Sequence, residues 1–205
     1  MSYENKDVMG ISKYSLSYTT GAALISETVI VATLYVELAD WSSVRARVLE
    51  ENSFQARTLS TSKKLYGEVA RRLKHLTTDQ LELLSLGTDN QVKALVWLAI
   101  CCQYVFIRDF TIEVITTQYS SSRFLLTHDD YDAFFNAKAE WHNNLDEASK
   151  LTKSKARQVL FKMLKECGLI NEESEILKQH LDESLVQLIM NTNSGGLRVF
   201  PGLDC

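Results

Sequence analysis

The sequence predicts an all-α protein, with at most a short β-hairpin wing near residues 169–178. Three observations carry that expectation. The only proline is Pro201, so the first two hundred residues lack the strongest helix breaker. Apolar residues recur at i, i+3 and i+4 through segment after segment, the spacing of a one-sided helix. Serine, threonine or aspartate stands where each new helical pattern opens, as an N-cap does. An apolar fraction of 45% and a charged fraction of 23% over 205 residues suit a globular chain with a sizeable core.

The elements follow in order. Residues 1–13 are polar and read as a flexible tail. Thr20-Gly21 opens an apolar helix from Ala22 to Leu38. Asp40 caps a helix near 41–52, and the serines and threonines at 58–62 open another that runs to about Leu76. Thr77 and Gln80 have capping-box spacing for a short helix ending at Gly87. Thr88 caps a helix that is apolar on most sides, through Val92, Leu95, Val96, Leu98 and Ala99. That pattern continues to Val114 and Ile115 after a kink near 104–107. Thr127, with Asp129 and Asp130 placed where the helix dipole favours acids, starts a helix to about Asn143. Leu145 to Ser149 is a short helix or turn, 152–167 a basic helix, 171–174 a turn, 175–177 a short strand, and 182–190 the last helix. Residues 191–205 read as a second loose tail. A boundary near 147 divides a helical N-terminal domain, 14–147, from a small winged helix-turn-helix-like unit, 148–190.

The net charge of −4 conceals segregation. Residues 41–75 hold eight basic residues against three acids, 76–147 hold four against eleven, and 166–205 hold two against seven. Lys150, Lys153, Lys155, Arg157, Lys162 and Lys165 fall within sixteen residues that contain no acid. Separated cationic stripes can bind phosphate while acidic faces meet protein. In helix 152–167, Ala156, Val159, Leu160, Met163, Leu164 and Cys167 form the inner stripe, and Ser154, Gln158, Lys162 and Lys165 fall opposite. Its first two turns occupy the place where a recognition helix meets base edges and phosphates. Gln158 has the chemistry to pair with adenine and Arg157 with guanine. Glu172, Glu173 and Glu175 on the expected wing would repel a phosphate backbone, so the helix rather than the wing would make the contact.

A second cationic surface is expected on the helix near 61–76, which buries Leu65, Val69, Leu73 and Leu76. Lys63, Lys64, Arg71, Lys74 and His75 collect on its outer face around Gly67, and Arg45, Arg47 and Arg57 extend it. Glycine inside a helix costs about 1 kcal/mol relative to alanine. Close approach of a phosphate or of another backbone would justify it, and so would a helix crossing. The plain alternative for both stripes is a solvated helix face.

Catalytic signals are poor, and the chain reads as non-enzymatic. His75, His128, His142 and His180 lack partners at zinc-site spacing, and no phosphate-cradling glycine loop or nucleophile motif is present. Asp129, Asp130 and Asp132 could suggest a metal-dependent nuclease, but capping and dipole charge explain them better. Tyr131, Phe134, Phe135 and Trp141 read as core aromatics, and Cys101 and Cys102 as buried small hydrophobes. No cofactor or metal is expected. No window approaches the roughly 20 apolar residues of a membrane span, and no leader pattern opens the chain, so a cytoplasmic location without membrane contact is expected.

Four strings resemble one family. They are Tyr14-Ser15-Leu16-Ser17 leading to Thr20-Gly21; Glu50-Glu51-Asn52 with Gln55-Ala56-Arg57-Thr58; Leu126 to Trp141; and Arg157-Gln158-Val159-Leu160-Phe161-Lys162-Met163-Leu164. Together they are similar to the BrxA family of bacteriophage exclusion (BREX) defence systems, over roughly residues 14–190. The resemblance implies a mainly helical, NusB-like, non-enzymatic DNA-binding protein acting beside a methyltransferase and ATPases in phage defence, and the two basic stripes make double-stranded DNA the expected partner. It assigns no binding residue. The alternatives are a protein–protein adaptor with little nucleic-acid affinity and an RNA-binding NusB-like factor. Oligomeric state is not legible.

Overall fold

Asp40 accepts the Ser43 backbone N–H at 2.7 Å and starts its helix where the sequence places it. The computed structural model describes residues 14–19, 21–192 and 195–203; the expected tail 1–13, Thr20 and the final residues 204–205 lie outside the described residues. Helix α1 spans Ile25–Leu38 and starts later than expected, because Leu24 before it takes a left-handed φ of 57°. α2 covers Trp41–Glu50, and α3 covers Leu59–Leu73 with Thr58 accepting from the Thr61 N–H. α4, Thr78–Leu86, and α5, Asp89–Gln103, both begin with the reciprocal capping box, at Thr77/Gln80 and Thr88/Gln91. Gly87 separates them for a steric reason: a Cβ there would sit 2.4 Å from the Leu83 carbonyl oxygen.

α5 is the central helix, buried along most of its length. It breaks at Tyr104, whose φ of −119° and ψ of 94° are extended, and the chain turns by 114°. After the turn come α6, Val105–Phe110, a π-helical stretch, Thr111–Thr116, and α7, Thr117–Ser120. Thr127 and Asp130 form a third capping box for α8, His128–Ala139. α9 is one turn, Asn143–Asp146; α10 spans Lys150–Glu166; α11 spans Glu183–Thr192. No single helix among the described residues is long and apolar enough to cross a membrane.

The aromatic core forms where the bend turns α6 against α8. Phe106 and Phe110 each meet Phe134 edge-on with ring centroids 5.3 Å apart, and Tyr131 and Phe135 complete the group. Edge-to-face pairs of this kind contribute beyond their buried area. Buried residues on both sides of position 147 belong to one hydrophobic cluster, which the expected 14–147 and 148–190 units therefore share.

Two expectations are corrected. Trp141 is 74% exposed instead of joining the core, because α8 ends at Ala139 and the turn after it leads away from the aromatic cluster. The expected tail also packs over its described residues. α11 continues to Thr192; Val199 and Phe200 are buried; the Trp97 indole N–H donates to the Val199 carbonyl at 3.1 Å. A buried indole needs an acceptor, and residues 195–203 supply it.

Where the wing was expected, residues 169–177 form a hairpin held by single bridges, and the expected strand at 175–177 does not form. Ile170 pairs with Ile176, and Glu175 pairs across to Leu125, so a third segment joins the hairpin. Ser174 turns it at a φ of 65°.

Candidate nucleic-acid interface

α10 begins two residues earlier than expected, because Ser149 accepts the Thr152 N–H at 3.1 Å and caps it. Lys150 therefore lies in the first turn, where the helix dipole favours anions over cations. The inner stripe is Ala156, Val159, Leu160, Met163 and Leu164, with Phe161 added. At 100° per residue Leu151, Lys155, Gln158 and Lys162 form one outward ridge, and all four are exposed, as are Lys150 and Ser154.

The six cations are not equivalent. Arg157 is ion-paired with Asp132 of α8 and is only a quarter exposed, so it faces the fold more than the ridge. The Lys153 ammonium lies 5.2 Å from the Phe135 ring centroid, a second tie to α8. Lys165 bonds the Glu172 carboxylate at 3.0 Å and the Glu172 carbonyl at 2.9 Å. Lys162 meets Glu166 at 3.6 Å, an exposed i,i+4 contact of small energetic weight. Lys155 donates to Gln158 Oε1 at 3.1 Å. Lys150, Lys155 and Lys162 thus carry the charge that is most available to a ligand.

Grooves flank the ridge on both sides. One, of about 520 Å³, is lined by His128, Ser154, Arg157, Gln158, Phe161, Lys162 and Lys165, with no carboxylate among them. The His128 and Phe161 rings meet edge-on at 4.8 Å. The other, of about 660 Å³, sets Lys155, Gln158 and Lys162 opposite the start of α1, including Leu24, Ser26 and Glu27.

The second surface is built on α2 and α3. Arg45, Arg57, Lys63 and Lys64 are exposed and have no ion-pair partner among the described residues. Arg47 is held by Glu37 at 2.8 Å, Arg71 by Glu68, and Lys74 lies 5.7 Å from the Trp41 ring. A Cβ on Gly67 would meet nothing within 4 Å, so nothing in the protein requires glycine there.

Sequence reasoning missed the link between the two surfaces. Arg72 is buried on α3 and paired with buried Glu68 at 2.8 Å. Its Nη1 donates to the Ala22 and Ala23 carbonyls at 3.0 and 2.9 Å, while the Ala23 N–H donates to Glu166 of α10 at 2.7 Å. The short segment before α1 is therefore clamped between α3 and α10. Tyr104, at the bend, donates its hydroxyl to Glu68; burial first, and then that carboxylate, push its pKa up to about 12. The i,i+4 spacing of Glu68 and Arg72 was visible, but it is also the spacing of an ordinary surface pair.

Asp130 and Asp132 of α8 are both engaged by neighbouring side chains. Asp130 accepts from the Thr127 N–H at 2.8 Å, Gln118 at 2.7 Å and Arg123 at 2.9 Å, while Asp132 binds Arg157. No group of three metal-ligating side chains occurs among the described residues.

Fold and surface together define an all-helical protein that presents an accessible cationic ridge between two grooves. A profile of the BrxA family matches residues 12–193, and the chain belongs to that family. It is 26% identical over 155 residues to the BREX protein BrxA of Bacillus cereus (strain H3081.97), covering 74% of this chain and 78% of the relative. It is 22% identical over 151 residues to the BREX protein BrxA of Escherichia coli O9:H4 (strain HS), covering 74% and 71%. The fold is shared with an uncharacterized protein from Magnetospirillum magneticum, at a TM-score of 0.74 and 17% identity over 92% of this chain and 98% of the other.

Proposed function

We propose that this protein is a non-enzymatic component of a BREX anti-phage system that binds double-stranded DNA largely without regard to sequence. The observation that carries the reading is the exposed ridge of α10, where Lys150, Lys155 and Lys162 stand clear of the fold on a helix free of acids up to Lys165. Phosphate contacts of this kind give affinity and register, and carry little sequence information. Arg45, Arg57, Lys63 and Lys64 offer a second set of phosphate contacts. Membership of the BrxA family supports the defence role and points to other defence-system proteins as partners.

The test is binding of the full chain to random-sequence duplex DNA, compared with the K150E/K155E/K162E variant. These three lysines are better targets than Lys153 and Arg157, whose replacement would also break ties to α8. Binding that the triple variant leaves unchanged would refute the reading of α10. Competition with structured RNA separates this function from an RNA-binding one.

A further inference from the structure

We infer that the hairpin at 169–177 and the segment crossing it form a docking edge for an extended, basic stretch of a partner protein. The pairing geometry comes first. The Leu126 N–H donates to the Ser174 carbonyl at 2.9 Å, and the Ile176 N–H donates to the Phe124 carbonyl at 2.6 Å. These bonds bracket the Leu125–Glu175 bridge, so Leu125 is a non-hydrogen-bonded position whose own N–H and C=O point away from the hairpin. Neither group has a partner among the described residues. An open edge of this sort is a template for another strand.

The two faces differ in burial, although Leu169, which the register sets opposite Leu177, is buried on the outer one. Leu126, Ile170 and Ile176 are buried on the inner face. Leu125, directly opposite Glu175, and Leu177, two residues further along the hairpin, fall on the same face as Glu175 and are 57% and 38% exposed. Phe124, 45% exposed, flanks them against Tyr119 at 5.3 Å. Other exposed large hydrophobics, such as Leu86 and Leu151, are not joined by backbone pairing in this way. Contiguous exposed apolar groups mark contact surfaces, whereas single ones need no explanation.

Charge selects the occupant. Residues 171–178 carry Glu172, Glu173 and Glu175 against Lys178, with Lys165 paired to Glu172. Arg123 on the crossing segment is paired with Asp130, so the charge left over around the edge is negative and disfavours nucleic acid and a second copy of the same edge. Glu173 has no ion-pair partner among the described residues, and Glu175 accepts only from Asn171. A strand with apolar side chains flanked by lysine or arginine satisfies the open backbone, the leucines and the glutamates together.

The probe is a short synthetic peptide of alternating valine and lysine, titrated into the full chain with the Leu125 amide followed by NMR. Binding is expected, with protection of that amide; a valine–glutamate peptide and an N-methylated valine–lysine peptide should each bind at least about tenfold more weakly. Leu125→Pro removes the outward N–H without touching a bond inside the hairpin, and E173K/E175K reverses the rim. Each should reduce peptide affinity by a similar factor, and Leu125→Pro should leave duplex-DNA binding unchanged, whereas the reversed rim loses its repulsion of DNA and should not weaken that binding. If Leu125→Pro unfolds the hairpin, the rim variant and the N-methylated peptide decide. Absent peptide binding, equal binding of all three peptides, or self-association that these variants abolish would each overturn the inference.

Discussion

Arg157 of α10 is ion-paired with Asp132 of α8. This places the one guanidinium of the basic helix against the fold and makes its neighbours on the outward ridge the charges a ligand meets first. The pair also acts as a restraint, since freeing Arg157 would add a cation to the groove it lines with His128 and Lys165. Asp132→Asn should therefore raise affinity for duplex DNA by a few fold at low salt. Equilibrium titration checks it, and unchanged affinity would show that Arg157 stays out of reach.

Glu68 and Arg72 predict a large effect on stability. Their side chains are 1% and 2% exposed, so neutralising one leaves the other buried and unpaired. Glu68→Gln should destabilise the fold by about 3–5 kcal/mol, read by urea denaturation. Glu68 also accepts from Tyr104 and Arg71, so the loss should exceed that from breaking the exposed Lys93–Asp89 pair.

Gly67 should behave in the opposite way. With open space where a Cβ would go, Gly67→Ala should stabilise α3 by up to about 1 kcal/mol. Thermal melting measures this. A fall in DNA affinity in the same variant would mark the gap as the place where a phosphate approaches.

Phe200 tests whether the C-terminal stretch belongs to the core. Phe200→Ala should cost about 3–5 kcal/mol, whereas a loose tail would give no change.

Asp130 sets an acid limit. Burial pushes its carboxyl up, but hydrogen bonds from Thr127 and Gln118 and the charge of Arg123 outweigh this and hold it below the usual range. A depressed carboxylate contributes stability that is fully present above its unfolded value, about 3.9, and is lost as pH falls through the folded value. Asp130→Asn should flatten the loss of stability below about pH 4, as followed by acid titration of helix signal.

Helix starts were legible because caps are local: Asp40, Thr77, Thr88 and Thr127 all act where the sequence places them, and the cap of α3, Thr58, is one of the serines and threonines at 58–62 expected to open it. The kink was legible as well, and falls at Tyr104. What was not legible depends on contacts distant in sequence. Residues 195–203 look like a linker until Trp97 needs an acceptor. Trp141 looks like core until the end of α8 carries it outward. Arg72 and Arg71 are neighbours of the same type, yet one is sealed inside and the other exposed. On the ridge, charge alone could not show that Arg157 and Lys153 are tied to α8 while Lys150, Lys155 and Lys162 stay exposed, Lys155 and Lys162 touching only neighbours on their own helix among the described residues.

The most direct measurement is the salt dependence of binding to random duplex DNA, for the intact chain and for K150E/K155E/K162E. Each phosphate neutralised contributes roughly −0.9 to the slope of log affinity against log salt. The account predicts a steep slope for the intact chain, shallower by roughly three in the triple variant. Binding without salt dependence, or a slope that the variant leaves in place, would contradict it.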